Sequence, residues 1–444
     1  MPKRLLFAWL FAQTACTATP TERIVYVNDC PDGHASDTAA AVDQASAADG
    51  DVGTADAVAT DAPAHDGTGT DVAATSDALA VDSSTPDAAT IQTDGVDGAA
   101  AEVEPGTDAT LPVAGWPKRV FAPYVDSTLY PFQKLTEVAA KTGQRWFTLG
   151  FVVAKDAKSC MASWGTYYTL KAGPDAWLDG KQAYLYEDIA TLRSTWKGDV
   201  VVSFGGAANT PLEEACTTAS ELTAQLQSVV DTMQVTVIDF DIEGIWLTKT
   251  QPDGSGARRA KALQQLQQNA KAAGKPLKIG LTLPVLPSGL TADGLATLDQ
   301  TLQNGVKLSF VNLMAMDYGD SAAPNPKGKM AQYAADAATA THAQLKASLA
   351  KAGYGPTDAE VWAMLGLTPM IGMNDVKTEV FTVADAATLL AWAKGKGLGW
   401  LAMWSVNRDH PCPAAKEVEL KCSSVADQTA DWQFTSAFQG FSGD

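Results

Sequence analysis

Three acidic residues alternate with apolar residues in one short stretch of the chain, from Val235 to Gly244. The spacing is that of a β-strand, in which residues i, i+2 and i+4 point to the same side. Asp239, Asp241 and Glu243 are therefore expected to share one face. Neighbouring carboxylates repel one another, and burial raises their pKa further. The stretch predicts a carboxylate row in which coupled titration keeps one member protonated at neutral pH, ready for acid–base catalysis.

Two simpler interpretations of the row stay open from the residues alone. It could be the solvated face of a strand, or it could bind a hard cation. Ile238, Phe240 and Ile242 make the opposite face wholly apolar, so that this face needs a covering layer. A strand with only a structural role has no use for three repelling charges, and this favours catalysis.

The row resembles the catalytic strand of the family-18 glycoside hydrolases, the chitinases, whose pattern is Asp-x-x-Asp-x-Asp-x-Glu. Asp239, Asp241 and Glu243 match the last three acids, whereas Thr236 stands at the first position. In the family the first Asp supports the row from behind. The departure at Thr236 therefore concerns the tuning of the pair Asp239 and Asp241 more than the reaction itself.

A glycine pair at an earlier strand end extends the resemblance. Ser203-Phe204-Gly205-Gly206 matches the Ser-x-Gly-Gly of the chitinases, although two glycines could also be only a tight turn. The resemblance implies that Gly205 and Gly206 let the sugar and the carboxylates approach the backbone. Asn209 follows and is expected to reach the sugar.

A third match lies between Asn312 and Gly319. There the resemblance implies that the Tyr318 hydroxyl and Asp317 bind the N-acetyl group of the substrate. The family commonly has Met-x-Tyr-Asp, whereas this chain has Asp317 before Tyr318. Met314 and Met316 are expected to line the pocket, with a place in the core as the structural alternative.

Two more strand ends complete the predicted site. The resemblance implies that Trp404 is the floor on which the sugar in the cleavage subsite stacks, although an indole at this place could also plug the core. Tyr124 and Asp126, at the end of the first predicted strand, are expected to line the cleft.

Strand-like runs and helical patterns alternate from Trp116 onward, which leaves either an open doubly wound sheet or a closed barrel. We favour a (β/α)₈ TIM barrel over residues 116–444, because there are eight strands and most of them end in functional residues. The predicted strands are Val120–Asp126, Trp146–Val153, Asp199–Gly206, Val235–Gly244, Leu277–Val285, Leu308–Gly319, Val361–Gly372 and Leu398–Asn407. The predicted helices include Leu212–Met233, Ala257–Ala273, Leu295–Asn304 and Met330–Lys351.

Residues 1–16 have the features of an export signal: Lys3 and Arg4, a short apolar run, and small residues before Cys16. The Thr-Ala-Cys ending resembles a bacterial lipoprotein cleavage site, with the lipid on Cys16. The protein is therefore expected to be exported, either extracellular or anchored to the outer membrane, and to meet a membrane only through this anchor.

Residues 17–115 form a linker rich in Ala, Asp and Thr, which we predict to be disordered because residues 31–110 contain no aromatic side chain. That span holds 17 of the 51 acidic residues and no Lys or Arg, and the other 34 acids nearly balance the 32 basic residues. The net charge of −19 thus comes from the linker, and it argues against nucleic-acid binding. A Ca²⁺-binding repeat is the alternative, but no fixed Asp-x-Asp-x-Gly period is present.

Four of the six cysteines fall in the predicted barrel. In an exported protein we expect one disulfide between Cys160 and Cys216 and another between Cys412 and Cys422, each fastening loops at the active face. Free buried thiols are the alternative. The cysteine spacing does not fit a zinc site, and only four histidines are present.

The resemblance implies a retaining glycosidase in which the substrate's own 2-acetamido oxygen attacks the anomeric carbon. Glu243 would be the general acid and then the base, Asp241 would hold the acetamido group, and Asp239 would share a proton with Asp241. We expect a monomer that cleaves chitin or other N-acetylglucosamine oligosaccharides without metal or cofactor. The alternatives are an endo-β-N-acetylglucosaminidase acting on N-glycan cores and a non-catalytic chitin-binding barrel. Cleft tryptophans, for which Trp164 and Trp246 are candidates, would favour chitin.

Overall fold

The computed structural model describes residues 115–170, 183–249, 254–412 and 417–443. The predicted export signal, Cys16 with its lipid, and the linker up to residue 114 lie outside the described residues. No helix in the described part is both long and apolar enough to span a bilayer.

The strands of the described residues form one large sheet and one small hairpin. Their bounds are β1 Val120–Phe121, β2 Tyr124–Asp126, β3 Trp146–Asp156, β4 Ser159–Trp164, β5 Tyr168–Thr169, β6 Asp199–Gly205, β7 Val237–Asp241, β8 Lys278–Leu286, β9 Gly289–Leu290, β10 Leu308–Met314, β11 Leu365–Thr368, β12 Gly372–Met373, β13 Val380–Phe381 and β14 Trp400–Leu401.

The large sheet closes on itself. Parallel pairing runs from β3 through β6, β7, β8, β10 and β11 to β14. The short strands β1 and β2 are consecutive pieces of one edge, because β1 pairs in parallel with β14 and β2 pairs in parallel with β3. Eight parallel positions therefore make a closed barrel, and this confirms the barrel over the open sheet.

Helices lie between the barrel strands. Their bounds are α1 Leu135–Thr142, α2 Ala183–Trp196, α3 Leu212–Ala215, α4 Ala219–Met233, α5 Gly244–Lys249, α6 Ser255–Ala272, α7 Ala292–Gln303, α8 Met330–Lys351, α9 Asp358–Met364, α10 Val383–Lys396 and α11 Gln433–Phe438. The prediction for α8 is correct at both ends. Those for α6 and α7 start two and three residues late.

Several predicted strands are longer than the observed ones, and two other predicted elements are wrong in a way that a capping box explains. The single helix predicted over Leu212–Met233 is two helices, because Thr218 caps a new helix by accepting the N–H of Glu221. The strand predicted from Val361 begins only at Leu365. Thr357 and Glu360 form a second capping box that starts α9 there instead.

Aromatic rings fill the barrel interior below the carboxylate row. The rings of Phe310 and Trp400 stack with centroids 4.2 Å apart, and Trp116 lies 5.8 Å from Trp400. The indole Nε1 of Trp116 donates to Thr236 Oγ1 at 3.2 Å. Thr236 precedes β7 and so belongs to the N-terminal end of the barrel, where it fastens an aromatic plug.

Both predicted disulfides are present. Cys160 in β4 joins Cys216, which follows α3, and Cys412 joins Cys422 in the segment after β14. Each bond closes a connection on the side of the barrel where the parallel strands end, as expected from the sequence.

Candidate active site

Strand β7 presents the three acids on its inner side. Asp239 and Asp241 are 1% and 5% exposed, and Glu243, two residues beyond the strand, is partly exposed. The outer face is covered as predicted, with Ile238 buried and the Phe240 ring stacked 5.0 Å from that of Phe204.

Asp239 accepts hydrogen bonds from hydroxyl groups on three other barrel strands, β2, β6 and β8. Its carboxylate accepts hydrogen bonds from Tyr124 Oη at 2.8 Å, Ser203 Oγ at 2.7 Å and Thr282 Oγ1 at 2.8 Å. Parallel register places Ser203 directly beside Asp239. Burial raises the pKa of Asp239, while the hydroxyl donors oppose that rise. The three donors to Asp239 do not include Thr236, the residue at the first position of the family pattern.

The hydroxyl network continues around the barrel beneath the cleft. The amide Nδ2 of Asn312 donates to Thr282 Oγ1 at 3.1 Å and to Thr368 Oγ1 at 2.6 Å. We call Tyr124, Ser203, Asp239, Thr282, Asn312 and Thr368 the hydroxyl layer. These groups are almost fully buried, and their side-chain polar atoms are hydrogen-bonded except for Asn312 Oδ1, which has no partner among the described residues.

Asp241 has the same burial as Asp239 but not the same partners. Its Oδ1 is buried, and the described residues offer that atom no hydrogen-bond partner. Burial raises the pKa of Asp241 well above its usual range, and the charges of Glu243 and Asp239 raise it further. A protonated or substrate-bonded Asp241 is therefore favoured over an ionised, unpaired one.

Glu243 faces carboxylates from two other connections. Burial raises the pKa of Glu243 to about 7, and the charges of Asp317 and Asp375 add to the rise. Asp317 follows β10, and its own pKa is about 7, again mainly through burial. A carboxyl group with a pKa near 7 can donate a proton and later take one back at neutral pH.

The floor of the site is a stack of aromatic rings. Trp404 stacks on Phe151 with centroids 5.6 Å apart and an interplanar angle of 18°, and Tyr124 lies 6.0 Å from Trp404. The backbone of Trp404 is fastened to strand β11's end by the hydrogen bond from its N–H to Pro369 O, 2.9 Å. Trp404 is partly exposed, and so offers a ring surface to the cleft.

The glycine pair is required by close backbone contacts. Gly205 has φ +102°, and a Cβ there would lie 2.0 Å from the carbonyl oxygen of Asp241. Gly206 has φ +85°, and a Cβ there would lie 2.6 Å from the Phe151 ring. Any larger residue would push β6 away from β7 or the ring away from the floor.

A cleft opens above these groups. Most of the predicted site residues line it. They are Tyr124, Gly205, Asn209, Asp241, Glu243, Met314, Met316, Asp317 and Trp404.

Four predicted site residues lie outside the cleft lining. Asp239 is beneath it in the hydroxyl layer, and Gly206 lies under Phe151. Asp126 accepts the N–H and the hydroxyl of Thr128, and thereby shapes a loop of the cleft instead of facing it. Tyr318 is buried against Tyr333, and its hydroxyl has no hydrogen-bond partner among the described residues.

A hairpin after β11 forms one side of the cleft and carries Asp375. Buried Glu379 accepts the N–H groups of Tyr318 and Gly319 at 3.1 and 2.8 Å, which ties this hairpin to the loop after β10. Asp317 Oδ1 accepts the N–H of Val376 at 2.9 Å across the same contact. Together these hydrogen bonds form a clamp between the hairpin and the loop after β10. The clamp holds Asp317 and Asp375 on one side of Glu243.

Sequence reasoning missed Phe151, Thr282 and Asp375. Thr282 could have been found, because it occupies the inner side of β8 next to β7. Phe151 lies within the predicted strand Trp146–Val153, and nothing local distinguishes it from a core residue. Asp375 lies in a turn whose contact with the loop after β10 depends on tertiary structure.

No family model matches the chain. Among curated proteins, it is 39% identical over 301 residues to a probable bifunctional chitinase/lysozyme of Escherichia coli (strain K12), an alignment covering 68% of this chain and 32% of that protein. It is 38% identical over 301 residues to Endochitinase 11 of Metarhizium anisopliae, covering 68% of this chain and 54% of that protein. The chain thus matches about a third and about half of these relatives' lengths.

Among solved structures, the catalytic domain of the hyperthermophilic chitinase from Pyrococcus furiosus is 32% identical. The TM-score is 0.62, and the match covers 74% of this chain and 96% of that domain. Catalytic-site mutants of active domain 2 of the same organism's thermostable chitinase, complexed with chito-oligosaccharides, match to the same extent.

Proposed function

Because the chain belongs to the chitinases of glycoside hydrolase family 18, we propose that it hydrolyses β-1,4 linkages between N-acetylglucosamine units with retention of configuration. The observation that carries this proposal is the contrast between two buried carboxyl groups. Asp239 is fully hydrogen-bonded, whereas Asp241 lines the same cleft as Glu243 and its buried Oδ1 has no hydrogen-bond partner among the described residues.

In the proposed reaction Glu243 supplies the proton. With a pKa of about 7, it is substantially protonated at neutral pH and can protonate the leaving glycosidic oxygen. The acetamido oxygen of the bound sugar attacks the anomeric carbon as that bond breaks, giving an oxazolinium intermediate. Glu243, now ionised, takes a proton from the water that opens the intermediate, and the protein regains its starting state.

Asp241 handles the acetamido nitrogen. Its unpartnered Oδ1 would accept the acetamido N–H, which orients the acetamido oxygen for attack and stabilises the developing positive charge. Asp239 below it shares a proton and is held still by the hydroxyl layer. Because all three acids lie on β7 or just beyond its end, the substrate's own nucleophile replaces the second flanking carboxylate of most glycosidases.

The remaining contacts position the sugar. Trp404, supported by Phe151, would stack on the apolar face of the ring in the cleavage subsite. Of the adjacent pair predicted to bind the N-acetyl group, Asp317 lines the cleft and Tyr318 is buried beside it. We therefore assign the polar contact from this loop to Asp317, while Tyr318 would reach the substrate only if the loop moved.

The test is product analysis with the full-length protein on three substrates. Chitin hexasaccharide should be cleaved to shorter oligosaccharides that appear first as the β-anomer by NMR. A cellulose hexasaccharide, which lacks the internal nucleophile, should stay intact. A glycoprotein with N-linked glycans distinguishes a chitinase from an endo-β-N-acetylglucosaminidase. Release of the glycans without cleavage of chitin would contradict the chitinase and support the endo-β-N-acetylglucosaminidase.

We also propose that the protein is exported and carries lipid on Cys16. The two disulfides support export, because such bonds persist in oxidising compartments. Labelled palmitate should enter the wild-type protein in a bacterial host and be absent from a Cys16→Ser variant. If neither protein were labelled, the proposed lipid on Cys16 would be wrong, and export without a lipid anchor would remain.

A further inference from the structure

Asn312 is a buried amide of the hydroxyl layer that has no part in the reaction proposed above. It is 1% exposed, and parallel register places it directly beside Thr282 of β8. Its Nδ2 donates to Thr282 Oγ1 at 3.1 Å and to Thr368 Oγ1 at 2.6 Å, whereas its Oδ1 has no partner among the described residues. Asn312 therefore acts in the layer as a donor of two hydrogen bonds.

The direction of the hydrogen bond between Thr282 and Asp239 follows from the number of protons available. A hydroxyl group has one proton to donate, and an ionised carboxylate only accepts. Thr282 Oγ1 lies 2.8 Å from Asp239 Oδ1 and 2.9 Å from Tyr124 Oη, and it also accepts the N–H of Asn312. Because Asn312 donates, the Thr282 proton cannot turn toward β10, and the carboxylate attracts it more strongly than the phenol oxygen does. With the amide turned over, its carbonyl oxygen would take this proton away from Asp239.

This direction matters because Asp239 and Asp241 share a proton in the proposed reaction. Burial raises the pKa of Asp239, and the hydroxyl donors, Thr282 among them, oppose that rise by stabilising the ionised form. If the Thr282 donor were lost, Asp239 would compete better for the shared proton. Asp241 would then be ionised more often, next to Glu243. A correctly directed Thr282 hydroxyl therefore favours the proton on Asp241.

We propose that Asn312 is a positioning residue, which directs the Thr282 hydroxyl toward Asp239 and thereby keeps the shared proton on Asp241. This inference rests on the proposed function. Thr282 and Thr368 line the cleft, but Asn312 lies behind them and is not one of the lining residues. Its effect on the reaction therefore passes through Thr282, and its loss should lower kcat and leave KM nearly unchanged.

The experiment is a double-mutant cycle in the full-length protein, assayed on chitin hexasaccharide. Asn312→Leu removes both N–H donors from a side chain of similar shape, Thr282→Val removes the hydroxyl group, and a third variant combines the two changes. We expect kcat to fall about five-fold in Asn312→Leu, with KM within about two-fold, and about ten-fold in Thr282→Val. The combined variant should be no slower than Thr282→Val, because a residue that acts through another has no effect once the other is removed.

Two further variants separate positioning from stability. Gln144 is the matched control, because it is also buried and its Nε2 donates to the carbonyl oxygens of Phe121, at 2.8 Å, and Trp146, at the opposite end of the barrel. Gln144→Leu should lower Tm but leave kcat unchanged. Asn312→Asp keeps the shape but offers an acceptor to Thr282, so kcat should fall at least as far as in Asn312→Leu. Asn312→Asp also completes the cycle if Asn312→Leu does not fold.

Several results would overturn the proposal. Losses that multiply in the combined variant would mean that Asn312 only joins β8 to β11, and an equal loss of kcat in Gln144→Leu would assign the effect to stability. An unchanged kcat in Asn312→Asp would mean that the amide does not direct Thr282.

A second measurement separates failure of this inference from failure of the proposed function. If the wild type cleaved nothing, the proposed function would be wrong, but the pKa of Asp239 could still be measured by ¹³C NMR of carboxyl-labelled aspartate. The signal is assigned by its absence in Asp239→Asn. The pKa of Asp239 should be higher in Asn312→Leu than in the wild type, because a donor to the ionised form is weakened. An unchanged pKa would contradict the role of Asn312.

Discussion

Strand β7 contributes one aspartate to the hydroxyl layer and one to the cleft surface, and the hydrogen bonding of these two carboxyl groups is opposite. Asp239 and Asp241 are two residues apart and similarly buried. Below, three hydroxyl groups donate to Asp239, whereas above, Asp241 Oδ1 has no donor among the described residues. An unsatisfied buried acceptor normally costs stability. In the proposed function, the acetamido N–H of the substrate would supply the missing donor.

A second contrast separates the two sides of the cleft. The side formed by β6, β7 and β8 is built from strands, and its polar groups are placed by parallel register. The side carrying Asp317 and Asp375 is built from loops, and buried charged groups hold it. Arg408 donates to the carbonyls of Ile371 and Met373, and Glu379 accepts two backbone N–H groups. The negative charges that help to raise the pKa of Glu243, those of Asp317 and Asp375, therefore come from the loop side of the cleft.

The largest expected effect comes from Glu243→Gln. The amide keeps the shape but cannot transfer a proton, and general acid–base catalysis is typically worth about 10²–10⁴ in rate. Hydrolysis of chitin hexasaccharide should fall by at least that lower factor, while calorimetry shows that binding survives. Near-normal turnover would remove Glu243 from the acid role.

The second-largest expected effect is a difference in kcat between a variant at the cleft surface and a variant in the hydroxyl layer. Asp241→Asn should lower kcat by about 10–10³, because a cleft group that orients the nucleophile and stabilises charge is altered. Asp239→Asn should lower kcat less, because it acts only through Asp241. Equal losses in the two variants would mean that the row works as one unit and that the contrast between the layers has no catalytic meaning.

Stability should rank the same two variants in the reverse order. Asp239→Asn places an NH₂ among three hydroxyl groups, and rearranging these donors should cost about 1 kcal/mol or somewhat more. Asp241→Asn removes a buried, unpaired carboxyl group that Asp239 and Glu243 repel, so stability should be unchanged or higher. Thermal unfolding at pH 8 measures both. A lower Tm for Asp241→Asn than for Asp239→Asn would contradict the comparison.

The strand side of the molecule was largely predictable from the sequence, and the loop side was not. Alternation alone places Asp239, Asp241 and Glu243 on one face, because period 2 is a local property of a strand. The pairing of Cys160 with Cys216 followed from their positions after neighbouring strands. By contrast, the clamp between Glu379 and the loop after β10 joins residues about 60 apart through irregular backbone, and no local pattern encodes it.

Tyr318 shows where resemblance and geometry differ. The family pattern implies a tyrosine hydroxyl in the site, but in this chain the order is Asp317 then Tyr318. Both residues lie beyond the end of β10, where Asp317 adopts a left-handed backbone conformation with φ +50°. Asp317 lines the cleft and Tyr318 is buried against Tyr333. The capping boxes at Thr218 and Thr357 are visible in the sequence as Thr-x-x-Glu, although we predicted no helix start at either position.

The smallest expected effect tests whether the loop side tunes the strand side. Glu243 is raised to a pKa of about 7 by burial and then by Asp317 and Asp375, and Asp241 faces it from β7. A general acid works only while protonated, so kcat/KM should fall as pH rises through about 7. In Asp375→Asn one repelling charge is lost and the pKa of Glu243 drops, so this limb should move to lower pH by less than about one unit, since Asp375 is exposed and screened. Asp358→Asn, an exposed acid on α9 away from the cleft, is the control and should leave the limb in place. An unmoved limb in Asp375→Asn would show that burial and Asp317 alone set the acid.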